Sequence, residues 1–232
     1  MSYLIKIGGS LTPRFVPSIF KTIKRSLISR PNKIFLFPGG GEFADLVRKY
    51  RKEVGLCDET THKMALASLD QNAHMIADMC RCSCVRSVRE ALAARDFPVV
   101  IAPYEILMEH RPFLSHNLNI DILSSDSSAI YLAHLLKAFF VIATDVEGVY
   151  ERDPKKTKKS GTLLKKIKAD ALDLIEGGGP LDGTLSVLID RYRINTWVVN
   201  GRNPERLARI IMGSSSVRGT LIEPSESLSL GR

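Results

Sequence analysis

The 232-residue chain lacks the features that mark membrane, secreted and disordered proteins. It has no apolar run of the roughly 18 to 20 residues that a membrane-spanning helix needs. Its first ten residues enter a glycine turn instead of the apolar core of a signal peptide. Contents of 25% charged and 44% hydrophobic residues are ordinary for a globular protein, which excludes disordered and collagen-like chains. We therefore expect a cytoplasmic globular protein with no membrane partner.

Cysteine is scarce, and its spacing speaks against a structural metal site. The chain has four cysteines, and three of them alternate with other residues at Cys80, Cys82 and Cys84. Structural zinc sites use paired Cys-x-x-Cys spacing, and disulfides are rare in a reducing cytoplasm. We expect no metal ligands here and place the three residues at a helix end or a connection.

Basic residues exceed acidic ones, 33 against 25, which gives a formal charge of +8. Seven lysines lie between Lys155 and Lys168, but no aromatic residue among them could stack on a base. No zinc-finger or helix-turn-helix spacing accompanies them. We expect a solvated basic face with one or two lysines near a phosphate, and no nucleic-acid partner.

Short apolar runs alternate with longer segments of helical period, which is typical of an α/β protein with a largely parallel sheet. Strands are predicted at Leu4–Ile7, Ile34–Phe37, Pro98–Ala102, Phe139–Ala143, Thr196–Val199 and Thr220–Ile222. Helices are predicted at Val16–Ser29, Glu42–Lys52, Glu59–Met79, Val85–Ala94, Leu123–Leu136, Gly183–Arg191 and Pro204–Met212. The stretch that holds His110, Pro112 and His116 is predicted to be irregular.

The first two strands each run into glycine, at Gly8–Ser10 and at Gly39–Gly41. Neither turn has the Gly-Lys-Ser/Thr of a P-loop or the G-x-G-x-x-G of a dinucleotide site. Backbone N–H groups at such turns still favour phosphates. Lys6 shares a sheet face with Gly8, and its ammonium suits the charge on a transferring phosphoryl group. The alternative is that Lys6 only lines the sheet edge.

Carboxylates mark two further positions. Asp126 opens a predicted helix, where it could orient a lysine, hold a magnesium ion with nucleotide phosphates, or merely cap the helix, as Ser124 or Ser125 could also do. Asp145 and Asp153 follow a buried strand, in the region where open α/β sheets collect ligands.

Together these segments resemble the amino-acid kinase superfamily. Its motifs appear in chain order over nearly the whole sequence. They are Lys6-Ile7-Gly8-Gly9-Ser10, the triple glycine Gly39–Gly41, Asp126-Ser127-Ser128-Ala129, the run Thr144–Pro154 and the late pair Gly219-Thr220.

The resemblance implies a three-layer αβα sandwich with a mainly parallel open sheet, and one kinase domain over residues 1–232. The acceptor lobe would span 1–120, the ATP lobe 121–223 and a flexible tail 224–232. ATP and Mg²⁺ would be the cofactors, the other partner a small phosphorylated metabolite, and the protein a homo-oligomer.

The resemblance also implies roles for individual residues. Lys6 would stabilise the transferring phosphoryl group, and Asp126 would position this lysine. The ATP phosphates would lie on Gly8, Gly9 and Ser10. The nucleotide would be bordered by Thr144, Asp145, Gly148, Tyr150, Asp153 and Lys156. The acceptor would face Gly39, Gly40, Gly41, Glu42, Asp45 and Arg48.

One departure concerns a second lysine, which several members carry after a late Gly-Gly-Met turn. Here the comparable turn, Gly177–Asp182, has no lysine. Lys155, Lys156 or an arginine from a neighbouring subunit are the candidates for this charge.

The residues that follow the triple glycine indicate which phosphoryl acceptor the enzyme uses. Uridylate kinases usually have an arginine-glycine pair there and isopentenyl phosphate kinases a histidine, and neither is present. The chain is more similar to the branch that phosphorylates aminomethylfuran phosphate in methanofuran biosynthesis, which implies a phosphate monoester converted to a diphosphate. Glu42, Asp45 or Asp70 could pair with an aminomethyl cation and Arg48 with the acceptor phosphate. Alternatively, Glu42 and Asp45 only complement the helix dipole.

Other functions stay open at this point. A uridylate or isopentenyl phosphate kinase would use the same fold. The branch also resembles molybdate storage subunits, which bind nucleotide and oxyanions, and a regulatory nucleotide-binding module is a third class. The presence of both Lys6 and Asp126 favours catalysis.

Overall fold

The computed structural model describes residues 1–118, 124–152, 161–175 and 183–226. The strands are β1 (Ser2–Ile7), β2 (Lys33–Pro38), β3 (Cys84–Val85), β4 (Val99–Ile101), β5 (Phe139–Thr144), β6 (Lys166–Lys168), β7 (Thr196–Asn200) and β8 (Thr220–Glu223). The helices are α1 (Val16–Ser29), α2 (Gly41–Val54), α3 (Asp58–Cys80), α4 (Val88–Ala93), α5 (Tyr104–Leu118), α6 (Ser125–Leu135), α7 (Gly183–Tyr192) and α8 (Glu205–Ile211). Among the residues so described, none of the helices combines the length and the hydropathy that a membrane span needs.

The strands form one sheet in the order β3-β4-β2-β1-β5-β7-β8-β6. Only the pair β7 and β8 is antiparallel; the other paired strands of the sheet are parallel. The predicted α/β class with a mainly parallel open sheet is therefore confirmed.

Helices cover both faces of the sheet, so the fold has three layers. Successive residues of β1 alternate between the two cores: Leu4 packs with α5, α6 and α7, whereas Ile5 packs with α1 and α8. The long helix α3 contributes to both cores, through Leu69 on one side and Ile76 on the other. The burial of both faces explains why the central strands read as continuous apolar runs.

Three predictions of secondary structure are wrong. Residues after Ala102 form α5 and not an irregular stretch, and Pro112 lies inside this helix. The predicted helix Val85–Ala94 is shorter, because Cys84–Val85 form β3 and α4 begins at Val88. Strand β6 lies in the lysine-rich segment, where no strand was expected; it pairs with β8.

The predicted tail 224–232 is held at its start. Ser225 donates its N–H to Asp190 at 2.6 Å, and its carbonyl accepts a hydrogen bond from Arg193 at 2.5 Å. Residues 227–232 lie outside the described residues.

Cys80 ends α3 and Cys82 lies in the connection to β3, as the sequence suggests, whereas Cys84 belongs to β3 and Cys57 precedes α3. All four are free, and burial raises the pKa of Cys80 to about 11 and that of Cys82 to about 12. Such thiols stay protonated at neutral pH. Within the described ranges no group of three or more His, Cys, Asp or Glu is placed to hold a metal.

Four parallel strands end at one edge of the sheet. Ile7 of β1 lies opposite Pro38 of β2 and Ala143 of β5, and Thr144 lies opposite Asn200 of β7. The carboxyl edge of a parallel sheet is where ligands bind in open α/β folds. The motifs of the sequence therefore meet at this edge.

Candidate active site

Lys6 and Asp126 form an ion pair at the carboxyl edge. Lys6 Nζ lies 2.7 Å from Asp126 Oδ1, and only 10% and 15% of the two side chains are exposed. This separation is typical of a charge-assisted contact between an ammonium and a carboxylate. A pair this little exposed is screened far less than a surface pair. The geometry brings the two predicted catalytic residues together.

The N-cap of helix α6 is Ser124 and not Asp126. Ser124 Oγ accepts hydrogen bonds from the N–H groups of Asp126 at 3.2 Å and Ser127 at 3.1 Å. Because Ser124 supplies the cap, the carboxylate of Asp126 is available to Lys6.

The two glycine turns pack against each other, backbone to backbone. A Cβ on Gly9 would lie 2.5 Å from the nitrogen of Gly41, and a Cβ on Gly39 would lie 2.5 Å from the nitrogen of Gly9. No side chain fits at such distances, so this contact requires glycine at both positions. The two phosphate turns of the sequence are therefore one structural unit.

Two of these glycines have no free N–H group. Gly8 donates to the carbonyl of Ala143 at 2.8 Å, and Gly39 donates to that of Ile7 at 2.7 Å. These bonds continue the sheet by one residue. The N–H groups of Gly8 and Gly39 are therefore used within the sheet, and N–H groups for a phosphate would have to come from later residues of each turn. Contacts of Gly8 with ATP and of Gly39 with the acceptor stay predictions.

The second turn has the geometry of an anion nest. Gly40 has right-handed dihedral angles (φ −71°, ψ −29°) and Gly41 a left-handed φ of +52°. Successive residues of opposite hand direct their N–H groups toward one point, which favours an anion. The 14-residue helix α2 begins here, and its dipole adds to the attraction.

A cavity of about 430 Å³ opens over both turns. Its lining includes Ser10 of the first turn and Ser125, the neighbour of Asp126. The other lining residues are Gly9, Thr12, Gly40, Gly41, Glu42, Asp45 and Arg48. The predicted acceptor residues of α2 thus surround one space beside the ion pair.

Two charged side chains of α2 that line the cavity, Asp45 and Arg48, pair with each other. Arg48 donates a hydrogen bond to Asp45, and the two side chains are 67% and 71% exposed.

Asp70 of α3 is absent from the described lining of the cavity. It accepts the N–H of Tyr104 at 2.9 Å, and burial raises the pKa of its carboxyl. The structure therefore assigns Asp70 to the junction of α3 and α5.

The predicted nucleotide side is organised around Glu147. Its carboxylate accepts hydrogen bonds from Asn200 at 2.8 Å, Arg206 at 2.7 Å and Arg218 at 2.6 Å. Burial alone would raise the pKa of Glu147, but the hydrogen bonds from Arg206 and Asn200 outweigh it and lower the pKa. This network fixes the loop that follows β5.

The same loop carries the predicted nucleotide residues. Thr144 accepts the N–H of Gly201 at 2.8 Å, and Asp145 lies 3.8 Å from Arg202. Gly148 packs on Thr220, since a Cβ there would lie 2.5 Å from Thr220 Oγ1. Tyr150 forms a β-bridge with Leu163. The predicted residues Asp153 and Lys156, the alternative Lys155 and the turn Gly177–Asp182 lie outside the described residues.

Comparison with known proteins agrees with this geometry. The chain matches the profile of the amino acid kinase family over residues 1–200. The chain belongs to this family, and it is a kinase. It is 31% identical to the (5-(aminomethyl)furan-3-yl)methyl phosphate kinase of Methanocaldococcus jannaschii over 218 residues, which cover 93% of this chain and 95% of that protein. It is 24% identical to the uridylate kinase of Archaeoglobus fulgidus, over 96% of this chain and all of that protein.

Solved structures of the amino acid kinase fold superpose well. The uridylate kinase of Archaeoglobus fulgidus gives a TM-score of 0.71 at 22% identity, covering 95% of this chain and 99% of that chain. The UMP kinase of Bacillus anthracis gives 0.73 at 18% identity, over 98% and 97%. At these identities the likeness establishes the fold alone.

Several residues of this amino acid kinase site were not predicted. Glu147, Arg206 and Arg218 are distant in sequence and meet only through the sheet order. Asn72 contacts the second glycine turn from α3. A buried polar residue inside a helix of mostly apolar period is a weak signal, and no spacing rule links it to a turn 33 residues away.

Proposed function

We propose that this kinase transfers the γ-phosphoryl group of Mg-ATP to a small phosphate monoester and so forms a diphosphate. The observation that carries the proposal is the Lys6–Asp126 ion pair, 2.7 Å long, beside two glycine turns in contact. One turn suits the phosphates of ATP and the other an anionic acceptor. The little-exposed ammonium between them is where charge develops during transfer.

The reaction needs no covalent intermediate with the protein. An oxygen of the acceptor phosphate attacks the γ-phosphorus, and the bond to the β,γ-bridging oxygen breaks, so that ADP leaves with that electron pair. Lys6 neutralises the oxygens of the transferring group, and Asp126 holds Lys6 in place. Alignment and charge neutralisation account for catalysis in such transfers.

Magnesium enters this scheme with ATP. In the part of the chain that the structure describes, no acidic cluster could hold the ion alone. Oxygens of the nucleotide phosphates would therefore supply most of its ligands, and Asp126, the carboxylate of the ion pair, is the nearest side chain that could add one. The nucleotide would lie along Gly9 and Ser10. It would be bordered by Thr144, Asp145, Gly148, Tyr150, Asp153 and Lys156.

For the acceptor we propose an aminomethylfuran phosphate. Glu42 and Asp45 place two carboxylates on the cavity wall, and an aminomethyl cation is their natural partner. Arg48 would leave Asp45 and bind the acceptor phosphate. The name of the Methanocaldococcus relative supports this acceptor. Homo-oligomerisation stays a prediction of the resemblance, and a cytoplasmic location stays a prediction of the sequence composition.

A uridylate kinase is the second candidate, because a relative and a solved structure of that name cover 96% and 95% of this chain. The two acceptors differ chemically: uridylate carries no cation for Glu42 or Asp45. Purified protein with Mg-ATP and, separately, aminomethylfuran phosphate, uridylate or isopentenyl phosphate should release ADP fast with the first acceptor only. ADP release with uridylate would favour the second candidate, and none with any acceptor would favour a binding protein.

Variants of α2 test the recognition of the cation. Glu42→Gln or Asp45→Asn should raise KM for aminomethylfuran phosphate about tenfold, because a hydrogen bond to a charged group is lost. Glu53→Gln is the matched control. It removes an exposed pair with Lys49 on the same helix and does not line the cavity. An unchanged KM in both test variants would contradict the role of these carboxylates.

A further inference from the structure

Asn72 of α3 is buried beneath the second glycine turn. Only 2% of the residue is exposed. Its Nδ2 donates one hydrogen bond to the carbonyl of Gly39 and one to the carbonyl of Gly40, each 2.8 Å long. A single amide nitrogen has two N–H groups, so both are used on consecutive peptide units of the turn.

These bonds bear on the direction of the N–H groups of Gly40 and Gly41, two residues that line the cavity. A trans peptide is planar, and its C=O and N–H point in opposite directions. Because Asn72 of α3 donates hydrogen bonds to the carbonyls of Gly39 and Gly40, the N–H groups of Gly40 and Gly41 point away from α3. Gly40 and Gly41 line the cavity, whereas Asn72 is absent from its described lining.

A run of three glycines cannot hold this orientation by itself. Glycine has access to both hands of the backbone at similar energy, so the turn has several conformations of comparable cost. In some of them a carbonyl oxygen would face the cavity and repel an anion. Helix α2 helps to hold the second of the two peptide units, because the Gly40 carbonyl also accepts the N–H of Ala44 at 3.1 Å. Asn72 contacts both peptide units and is the side chain that holds the Gly39 carbonyl.

We propose that Asn72 is a positioning residue, which holds the amide groups of the second glycine turn toward the phosphate of the acceptor. The inference rests on the proposed function in one respect, that the acceptor is anionic and lies on this turn. Asn72 touches neither substrate, and it acts through Gly40 and Gly41.

Its chemistry explains why an amide is needed. An ionised carboxylate at position 72 would place its oxygens against two carbonyl oxygens and could donate no hydrogen bond to them. In an Asn72→Asp variant, burial and the two carbonyls would raise the pKa of the new carboxyl. Protonation would then restore one donor. The acceptor KM of this variant should fall as the pH falls, whereas the KM for ATP should not follow it.

The kinetic test compares Asn72→Asp with Asn32→Asp. Asn32 is also buried, and its Nδ2 also donates to two carbonyls, those of Arg30 and Ile211, but at the opposite edge of the sheet. We expect Asn72→Asp to raise the acceptor KM about tenfold or more at pH 8, with KM for ATP within about twofold. Asn32→Asp should lower Tm while leaving both KM values within about twofold.

Two kinetic results would overturn the proposal. One is an equal rise of both KM values in Asn72→Asp, which would mean a general loss of structure. The other is an acceptor KM that stays at the wild-type value at every pH.

A binding measurement separates this inference from the proposed function. In protein labelled with ¹⁵N-glycine, titration with inorganic phosphate should shift the amide signals of Gly40 and Gly41 in the wild type and in Asn32→Asp. Asn72→Asp should show weak or no shifts at pH 8 and recover them at lower pH. This readout needs no turnover, so it holds even if the acceptor is not aminomethylfuran phosphate. Unchanged shifts in Asn72→Asp would refute the positioning role.

Discussion

The two predicted halves of the active site, the acceptor turn Gly39–Gly41 and the nucleotide loop after β5, are held by different kinds of interaction. The acceptor turn is held by a neutral amide, Asn72, with two hydrogen bonds of 2.8 Å. The nucleotide loop is held by a charged carboxylate, Glu147, which two arginines and Asn200 surround. The neutral contact is independent of acid and salt, whereas the ionic one is sensitive to both. The same sheet edge therefore combines a neutral contact beneath the acceptor turn with an ionic network at the nucleotide loop that acid and salt weaken.

The largest effect is expected at Lys6, which lies between the two halves. Lys6→Met keeps the length of the side chain but removes the charge from the transferring phosphoryl group. We expect kcat to fall by about 10² to 10³-fold, since one charge-stabilising donor is lost. Steady-state kinetics with Lys33→Met, an exposed lysine of β2, provides the control. A kcat near the wild-type value would show that Lys6 only lines the sheet.

The contact between the turns gives the next largest effect. Gly39→Ala places a Cβ 2.5 Å from the nitrogen of Gly9, and backbone must move to admit it. We expect a loss of about 3 kcal/mol in the free energy of unfolding. Gly55→Ala should cost about 1 kcal/mol, because φ there is +68° but no atom lies within 4 Å. Urea unfolding measures both, and equal losses would mean that the turns are not in close contact.

The pH dependence of unfolding tests the ionic interactions of Glu147 in the nucleotide loop. Glu147 has a lowered pKa in the folded protein, so its contribution is full above the unfolded value of 4.5 and is lost as the pH falls through the lower folded pKa. Glu147→Gln should cost about 2 kcal/mol at pH 7. The difference from the wild type should shrink below about pH 4.5. Acceptor KM should change less than the KM for ATP. A difference independent of pH would contradict the ionic account.

The smallest effect is expected at the exposed end of the nucleotide loop. Arg202 lies 3.8 Å from Asp145, and 53% of its side chain is exposed. Arg202→Ala should change the free energy of unfolding by less than about 0.5 kcal/mol. Arg206→Ala should cost several times more, because that side chain is only 13% exposed and Glu147 would lose a buried partner. Similar losses in thermal unfolding would remove the distinction between the two arginines.

Elements with a long regular pattern could be predicted from the sequence. Helix α1 has the predicted bounds, and β1, β2 and β5 differ by no more than a few residues, because each has a run of apolar residues that ends in a turn signal. The positions of Lys6 and Asp126 at the carboxyl edge could be predicted for the same reason, while their catalytic roles stay predictions. Each stands at a fixed position relative to a strand end or a helix start.

Other features depend on contacts that the sequence does not display. Helix α5 contains Pro112, a residue that normally marks a helix end, yet Leu107 and Leu114 are buried in the core. Strand β6 is short and carries lysines on its exposed edge, so its pairing with β8 leaves no apolar pattern. Asn72 and Glu147 act on residues far along the chain. Their roles are set by tertiary packing, which a local pattern does not encode.

The most direct test of the proposed reaction is to identify its product. Phosphorus NMR would follow purified protein with Mg-ATP and aminomethylfuran phosphate. We expect the signal of the monoester to be replaced by the two coupled signals of a diphosphate ester, with one ADP formed for each. ADP accompanied by free inorganic phosphate, with the monoester signal unchanged, would contradict phosphoryl transfer to this acceptor.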